Sequence, residues 1–159
     1  MADGLLLRLP ADPAGPVAWV QFGQGRVSAR GDDAVAEGPA LAANRRVIAL
    51  APGECVLLTS TEVPSRKPHH VRRAIPFLLE ERLAEEVGRL HFALGPRDEA
   101  GRVAVAVVAR DLLARWIDAL EAAGLAPAPR FRGPRLLPLQ EDGGTLAREA
   151  HRAQRGGGP

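Results

Sequence analysis

Two runs of apolar and β-branched residues, joined by the turn residues Pro-Gly-Glu, constrain the fold of this chain more than any other feature. They are VIALAP at 47–52 and CVLLTSTEVP at 55–64. Runs that do not alternate strictly with polar residues are typical of strands in a sheet that is covered on both faces. The sequence therefore predicts a layered domain built around a sheet.

Further strands and two helices are predicted around these runs. LLLRL, VAWVQF and RVSAR (5–9, 17–22 and 26–30) precede them, with GQG at 23–25 as a hairpin link, and LHFALG (90–95) and RVAVAVVAR (102–110) follow. Asp111 is a candidate N-cap for a helix over LLARWIDALEAAG, and Gly124 is a natural stop. The order is β-β-β, a polar connection, β-β, α, β-β, α, which indicates an α/β or α+β fold, a mixed sheet with flanking helices.

The first of these helices is predicted to be long and amphipathic, reaching the start of the strand at 90. Ser65 and Pro68 are start signals, a capping hydroxyl followed by a proline suited to a first turn. Pro76 lacks an amide proton, so we expect it to kink the helix or to mark its true start. The apolar stripe recurs at i, i+4 and is widened by Leu78 and Leu90; its main members are Val71, Ile75, Leu79, Leu83 and Val87.

Four carboxylates on this predicted helix share a face, an arrangement that acid–base or metal chemistry could use. However, arginines alternate with them and no histidine follows at ligand spacing, so a solvated, salt-bridged face is favoured. Glu85 and Arg89 stand four residues apart in the favourable order for a helical pair. The four are Glu80, Glu81, Glu85 and Glu86.

No other side chains form a convincing catalytic or metal-binding group. His69 and His70 are adjacent, so in regular structure they should diverge, while His91 begins a strand and His151 lies in the tail. Cys55 opens a predicted strand without a nearby signature, and a half-buried structural thiol is the favoured interpretation. The sequence contains no phosphate-cradling glycine loop and no nucleophile elbow. We therefore predict no catalytic residues, no cofactor, no metal and no small-molecule substrate.

The charge distribution argues against nucleic-acid binding despite an isoelectric point near 9.4. The formal net charge is only +2 and aromatic residues make up 4%. Residues 127–159 hold six arginines against three acids, so the basic excess lies in the tail. The N-terminal residues do not match the pattern expected of a signal peptide, no run is apolar enough to predict a membrane span, and the single cysteine fits a reducing compartment. A soluble cytoplasmic chain is expected.

The last part of the chain differs in character from the rest. RFRGPRLLPLQ (130–140) could supply one more strand and a turn, but the polar residues after it lack the apolar density of a core. We therefore expect a domain over 1–126 and a disordered, truncated or non-native tail over 127–159. A reading-frame slip in GC-rich DNA would also produce such a tail.

The succession of motifs closely resembles the cytoplasmic domain of the type II secretion system protein L family (GspL-like). The resemblance covers residues 1–126 and rests on the Pro-Gly-Glu turn, on AIPFLLEERLAEEV (74–87), on LHFALG, and on VAVVAR followed by Trp116 and LEAAGL (120–125). A weaker similarity extends to the pilus-assembly protein PilM and the cell-division protein FtsA.

The resemblance implies an actin-like, ribonuclease-H-like architecture and a non-enzymatic platform role at the cytoplasmic face of the bacterial inner membrane. The implied partners are the secretion ATPase (GspE-like) and other platform proteins (GspM-like and GspF-like), and a homodimer is left open. Actin-like ATPases carry an Asp-x-Gly turn after the first strand, where this chain reads LRLPADPAG. A degenerate nucleotide site is therefore expected. A PilM-like scaffold and a residual actin-like ATPase remain the alternatives.

Candidate contact residues for the ATPase can be chosen only by charge density. The densest charges lie on the predicted long helix, and simple solvation would also account for them. The candidates are Arg72, Arg73, Glu81 and Glu85.

Overall fold

The computed structural model describes residues 3–125 and the backbone of residues 137–139. The strands in this part are β1 (Gly4–Arg8), β2 (Ala18–Gly23), β3 (Arg26–Gly31), β4 (Arg46–Pro52), β5 (Leu57–Glu62), β6 (Leu90–Arg97), β7 (Arg102–Ala109) and β8 (Leu137–Leu139). The α-helices are α1 (Ala34–Glu37), α2 (Pro68–Leu79) and α3 (Arg110–Ala122). Apart from residues 137–139, the predicted tail over 127–159 lies outside the described residues, and His151 lies outside them too.

The chain divides into two compact units, one inserted into the sequence of the other. Unit 1 takes in the described residues up to Glu54 and again from Arg115, and unit 2 consists of Cys55–Ala114. The mixed α+β character expected from the sequence is confirmed.

Unit 1 contains a five-stranded mixed sheet in the order β3-β2-β1-β4-β8. The pairs β1–β2 and β2–β3 are antiparallel, whereas β1–β4 and β4–β8 are parallel. The centre of the sheet is buried, with Leu5 and Leu7 on β1 and Leu50 on β4 shielded from solvent. The three predicted N-terminal strands and the strand at 47–52 are therefore confirmed to within a residue or two. The strand suggested in RFRGPRLLPLQ is present as β8.

The predicted GQG link is a tight hairpin turn. β2 ends at Gly23 and β3 begins at Arg26, with Gln24 and Gly25 at φ values of 49° and 77° between them. Two successive positive φ values are the signature of a type I′ turn, which suits the twist of antiparallel strands.

Unit 2 contains a three-stranded antiparallel sheet in the order β5-β7-β6, with α2 packed on it. The helix contributes Val71, Ile75 and Leu79, which are spaced four residues apart and therefore lie on one face. They contact a cluster from the strands and their flanks: Val63, Leu90, Val103, Val105 and Val107. The predicted start of this helix at Pro68 is confirmed, but the predicted capping role of Ser65 is wrong, because the N-cap is Lys67 and no side chain caps the helix.

The predicted length of that helix is wrong, because α2 ends at Leu79. A 3-10 turn follows over Glu80–Arg82, then Leu83 adopts an extended conformation with φ −107° and ψ 140°. The apolar repeat nevertheless has a physical basis, since Leu83 also packs against the core of unit 2. The periodic burial of apolar side chains therefore extends beyond the end of the helix.

Pro76 neither starts α2 nor ends it, and lies inside the helix. A proline at this place removes the hydrogen bond to the carbonyl four residues back, which belongs to Arg72. Arg72 is exposed, so water can satisfy that carbonyl. The helix therefore continues three residues beyond the proline.

The start of α3 also differs from the prediction. The helix begins at Arg110, so Asp111 lies in its first turn and is not the N-cap. An acidic side chain in the first turn still complements the positive end of the helix dipole.

The end of α3 is a Schellman motif, as the predicted stop at Gly124 requires. The amide of Leu125 donates to the carbonyl of Leu120 at 2.8 Å, and the amide of Gly124 donates to the carbonyl of Glu121 at 3.0 Å. Gly124 has φ 66°, and a β-carbon there would lie 2.8 Å from Cβ of Pro39. Leu120 and Leu125 are both buried, which supplies the apolar contact of this motif.

Gly124→Ala is expected to lower the free energy of unfolding by about 1–3 kcal/mol, through positive-φ strain and the clash with Pro39. Gly25→Ala is the matched control, because Gly25 has φ 77° but no atom within 4 Å of the added carbon. Urea denaturation followed by circular dichroism measures both. Equal effects of the two substitutions would show that Pro39 imposes no constraint.

Candidate partner-binding surface

The turn after β1 is closed by its own hydrogen bonds. An oxygen of the Asp12 side chain accepts from the amide of Ala14 at 3.0 Å, and the Asp12 carbonyl accepts from the amide of Gly15 at 2.8 Å. The amide of Leu9 donates to the carbonyl of Leu50 at 2.9 Å. These amides therefore point at protein acceptors, whereas phosphate-binding loops leave theirs free for the ligand.

Prolines remove more donors from the same turn. Pro10, Pro13 and Pro16 have no amide proton, and the carbonyl of Pro10 accepts from the indole of Trp116 at 2.9 Å. A cleft of about 280 Å³ lies beside the turn, and its lining includes Arg8, Pro10, Pro16 and Pro52. The turn after β1 therefore offers few free amides, and it is poorly suited to cradle phosphates.

The exposed side of α2 carries both cations and apolar groups. Arg72 and Arg73, two of the candidate contact residues, are exposed. Phe77 is 73% exposed and Leu78 is 44% exposed, so the prediction that Leu78 widens the buried apolar stripe is wrong. Two large apolar side chains exposed on one short helix are unusual, because the surfaces of soluble proteins usually carry such groups singly.

The four carboxylates do not share a helical face, because the helix has ended before the first of them. Glu80 and Glu81 lie in the 3-10 turn, and Glu85 and Glu86 lie beyond it. All four are exposed. The predicted Glu85–Arg89 helical pair is wrong for the same reason, since Arg89 belongs to a separate 3-10 turn.

Arg82 ties the turn after α2 to strand β5. Its guanidinium donates to the hydroxyl of Thr59 at 3.1 Å and to the carbonyl of Ser60 at 3.5 Å. β5 is an edge strand, and its first two residues, Leu57 and Leu58, are 49% and 43% exposed. The exposed end of α2 is therefore held beside an edge strand that also exposes apolar groups.

Two smaller predictions need correction. His69 and His70 do not diverge, because their rings meet edge to face with centroids 4.1 Å apart. Cys55 does not open a strand but closes a 3-10 turn over Gly53–Cys55, where it is half-buried. Within residues 3–125, no group of three or more His, Cys, Asp and Glu side chains could hold a metal ion.

An arginine that sequence reasoning did not single out fixes the loop before α2. The guanidinium of Arg97 donates to the carbonyl of Val63 at 2.9 Å, to that of Ser65 at 2.8 Å and to that of Gly101 at 2.6 Å. A planar, permanently charged fork is suited to joining several carbonyls at once. Arg97 therefore positions the start of α2, and nothing in its sequence spacing indicates this role.

His91 should make the stability of unit 2 sensitive to pH. Partial burial, reinforced by the nearby charge of Arg110, lowers the pKa of His91 below its ordinary value of 6.5. Below about pH 6.5 the unfolded chain therefore takes up a proton that the folded chain resists, so stability falls as the pH falls through this window.

We expect this acid-side loss of stability to be smaller in His91→Gln than in the wild type. Urea unfolding at pH 7.5 and pH 5.5 measures the difference in both proteins. His69→Gln is the control for removing an exposed histidine. Equal pH dependence in wild type and His91→Gln would contradict the prediction.

No helix in residues 3–125 is both long enough and apolar enough to cross a membrane; α3, with 13 residues, is the longest. The fold and the exposed surface together define a class of protein: a mixed α+β domain that presents a charged and apolar helix face.

Comparison with known proteins identifies the family to which the chain belongs. The family model for type II secretion system (T2SS), protein L, matches residues 5–152. The chain belongs to the type II secretion system protein L family. The protein L of Pectobacterium carotovorum subsp. carotovorum is 33% identical over 151 residues, and that of Pseudomonas aeruginosa PAO1 is 42% identical over 77 residues.

The matches cover most of this chain but a minor part of the relatives. The Pectobacterium alignment takes in 87% of this chain and 34% of that protein, and the Pseudomonas alignment takes in 48% and 20%. Among solved structures, the cytoplasmic domain of EpsL, an inner-membrane component of the type II secretion system of Vibrio cholerae, is similar. Its TM-score is 0.68 at 26% identity, over 86% of this chain and 57% of that chain.

Proposed function

We propose that this chain is a non-enzymatic platform part of the type II secretion machinery that recruits the secretion ATPase (GspE-like) at the cytoplasmic face of the inner membrane. The observation that carries the proposal is the exposed side of α2, where Phe77, at 73% exposure, lies one turn beyond the exposed Arg73, with the exposed Arg72 on the same helix. Buried aromatic and arginine anchors dominate protein–protein binding, so this combination suits a docking site. Family membership supports the secretion role.

The four candidate contact residues are still a prediction, and their exposure is what supports it. Arg72 and Arg73 lie on α2, while Glu81 lies in the turn after it and Glu85 beyond that turn. All four are exposed and therefore accessible to a partner. Contacts with the other platform proteins, GspM-like and GspF-like, are part of the same proposal, as is a homodimer.

We further propose that unit 1 has the actin-like, ribonuclease-H-like architecture with a degenerate nucleotide site. The sheet order β3-β2-β1-β4-β8, with β2 antiparallel to the other strands, supports this architecture. The self-bonded turn after β1 supports the loss of nucleotide binding.

The recruitment proposal is tested by measuring binding between the 159-residue chain and the purified ATPase of the same secretion system. Saturable binding that weakens in Phe77→Ser supports it. Absence of binding at the highest concentration that the assay allows would remove it. Val27→Ser is the control, because Val27 is 64% exposed on β3 in the other unit.

A residual actin-like ATPase is the rival, and thermal unfolding with and without Mg-ATP distinguishes it. We expect no shift of the melting temperature, because the turn offers few free amides. A concentration-dependent rise would favour the rival, since a ligand that binds the folded state raises its stability.

A further inference from the structure

Building on the proposed recruitment of the ATPase, we infer that the α2 surface selects a partner segment with a fixed charge order: acidic, then apolar, then basic. We call this surface the α2 strip and define it as residues 66–86. Its first part, 66–73, holds four Arg or Lys residues and two His but no acid. Its last part, 80–86, holds four Glu and one Arg. Phe77 and Leu78 lie between the two parts.

Helical geometry places three residues of the strip on one outward-facing line along α2. His70, Arg73 and Phe77 are spaced i, i+3 and i+7, so they lie on the side of α2 opposite the buried Val71 and Ile75. All three are exposed. A partner lying along the helix would therefore meet basic groups first and the phenylalanine next.

The charges of the strip do not serve the helix that carries them. Cations near a helix N-terminus and carboxylates near its C-terminus both oppose the helix dipole, and the first turn of α2 has no acid. Within residues 3–125, no residue of the strip takes part in an ion pair, and the Arg102–Glu62 pair lies outside it. Apart from Arg82, which bonds to β5, the charged residues of the strip are thus available for charges from outside the chain.

The segregated charges favour a polypeptide segment over a lipid surface. An anionic bilayer presents one sign of charge, so it would attract residues 66–73 and repel residues 80–86. A segment of the ATPase with carboxylates at one end and cations at the other satisfies both parts while an apolar side chain covers Phe77.

A second copy of this chain, placed antiparallel, would also match the charge order but offers little area. α2 has 12 residues and is therefore about 18 Å long, so a helix-on-helix contact falls short of the roughly 800 Å² per partner of a stable interface. A partner segment can extend further, onto the exposed Leu57 and Leu58 of β5, the strand to which Arg82 joins the strip.

The test compares two charge reversals on the 159-residue chain: Arg72→Glu with Arg73→Glu, and Glu80→Lys with Glu81→Lys. Each should weaken binding of the ATPase about tenfold or more and change its salt dependence. Arg26→Glu with Arg30→Glu is the matched control, because both arginines are exposed on β3. Circular dichroism of each variant is the check that it is folded.

The same variants distinguish a segment of the ATPase from two other occupants of the strip, a lipid bilayer and a second copy of this chain. In sedimentation with phosphatidylglycerol vesicles, the glutamate-to-lysine pair would strengthen binding if the strip met a bilayer, which would overturn the inference. Self-association in analytical ultracentrifugation that both reversals abolish would overturn it in favour of a second copy. If the ATPase binds wild type and both reversals equally, the charge order is wrong while recruitment stands. If it does not bind wild type, both proposals fail.

Discussion

Trp116→Ala is expected to lower the free energy of unfolding by about 3–5 kcal/mol, the largest effect of any substitution considered for unit 1. The side chain is only 2% exposed, so its removal leaves a large cavity in a packed core. Its indole also donates to the carbonyl of Pro10 at 2.9 Å, across 106 residues of sequence. The substitution would also leave the Pro10 carbonyl, in the turn after β1, without this donor. Urea denaturation followed by far-UV circular dichroism measures the change.

Trp116→Phe separates the two contributions of this tryptophan. It keeps an aromatic ring in the core but leaves the Pro10 carbonyl without its donor, so a smaller loss of about 1–3 kcal/mol is expected. Val27→Ala, on an exposed side chain of the same unit, is the surface control and should change stability by about 0.5 kcal/mol or less. A Trp116→Ala protein as stable as this control would refute the assigned packing.

Ile75→Ala is expected to destabilise unit 2 by about 2–5 kcal/mol, because Ile75 is fully buried where α2 meets the sheet. Its matched control lies two residues along the same helix. Phe77→Ala removes a larger side chain but an exposed one, so a change of about 0.5 kcal/mol or less is expected. Urea unfolding of both variants gives the comparison.

The pair also links stability to recruitment. Ile75→Ala should lose ATPase binding only as far as unit 2 unfolds, whereas Phe77→Ala should lose binding while the fold is unchanged. The opposite pattern, with Phe77→Ala unfolded and Ile75→Ala intact, would mean that the two faces of α2 have been assigned the wrong way round.

The strands of both units could be predicted from the sequence because each is short, rich in β-branched or apolar residues, and bounded by Pro, Gly or Asp. β7 is an example: its Val103, Val105 and Val107 alternate with smaller residues and are all buried. Gly124 was equally predictable, since a helix stop with positive φ favours glycine.

The end of α2 could not be predicted, because Leu83 and Val87 continue the helical spacing of Ile75 and Leu79. Periodicity reports which side chains are buried, and here a 3-10 turn and an extended residue also bury Leu83. The chain must turn after Leu79 to bring Leu90 into β6 on the same core, and that requirement is tertiary.

The surface was harder to predict than the core. Arg97 meets Val63 and Ser65 across 34 and 32 residues of sequence, and no local pattern encodes such contacts. Phe77 belongs to a motif that resembles the family, but only the structure places it outward. The choice of Arg72, Arg73, Glu81 and Glu85 as contact residues is still a prediction.

The arginines around β5 have a consequence for how this chain behaves at high concentration. The Ser60 carbonyl on this edge strand accepts from the guanidinium groups of both Arg82, at 3.5 Å, and Arg102, at 3.0 Å. Edge strands with free carbonyls are templates on which another chain can add a strand and begin aggregation. Two bulky, charged groups at mid-strand obstruct such growth, so we expect this edge to resist strand addition although it exposes Leu57 and Leu58.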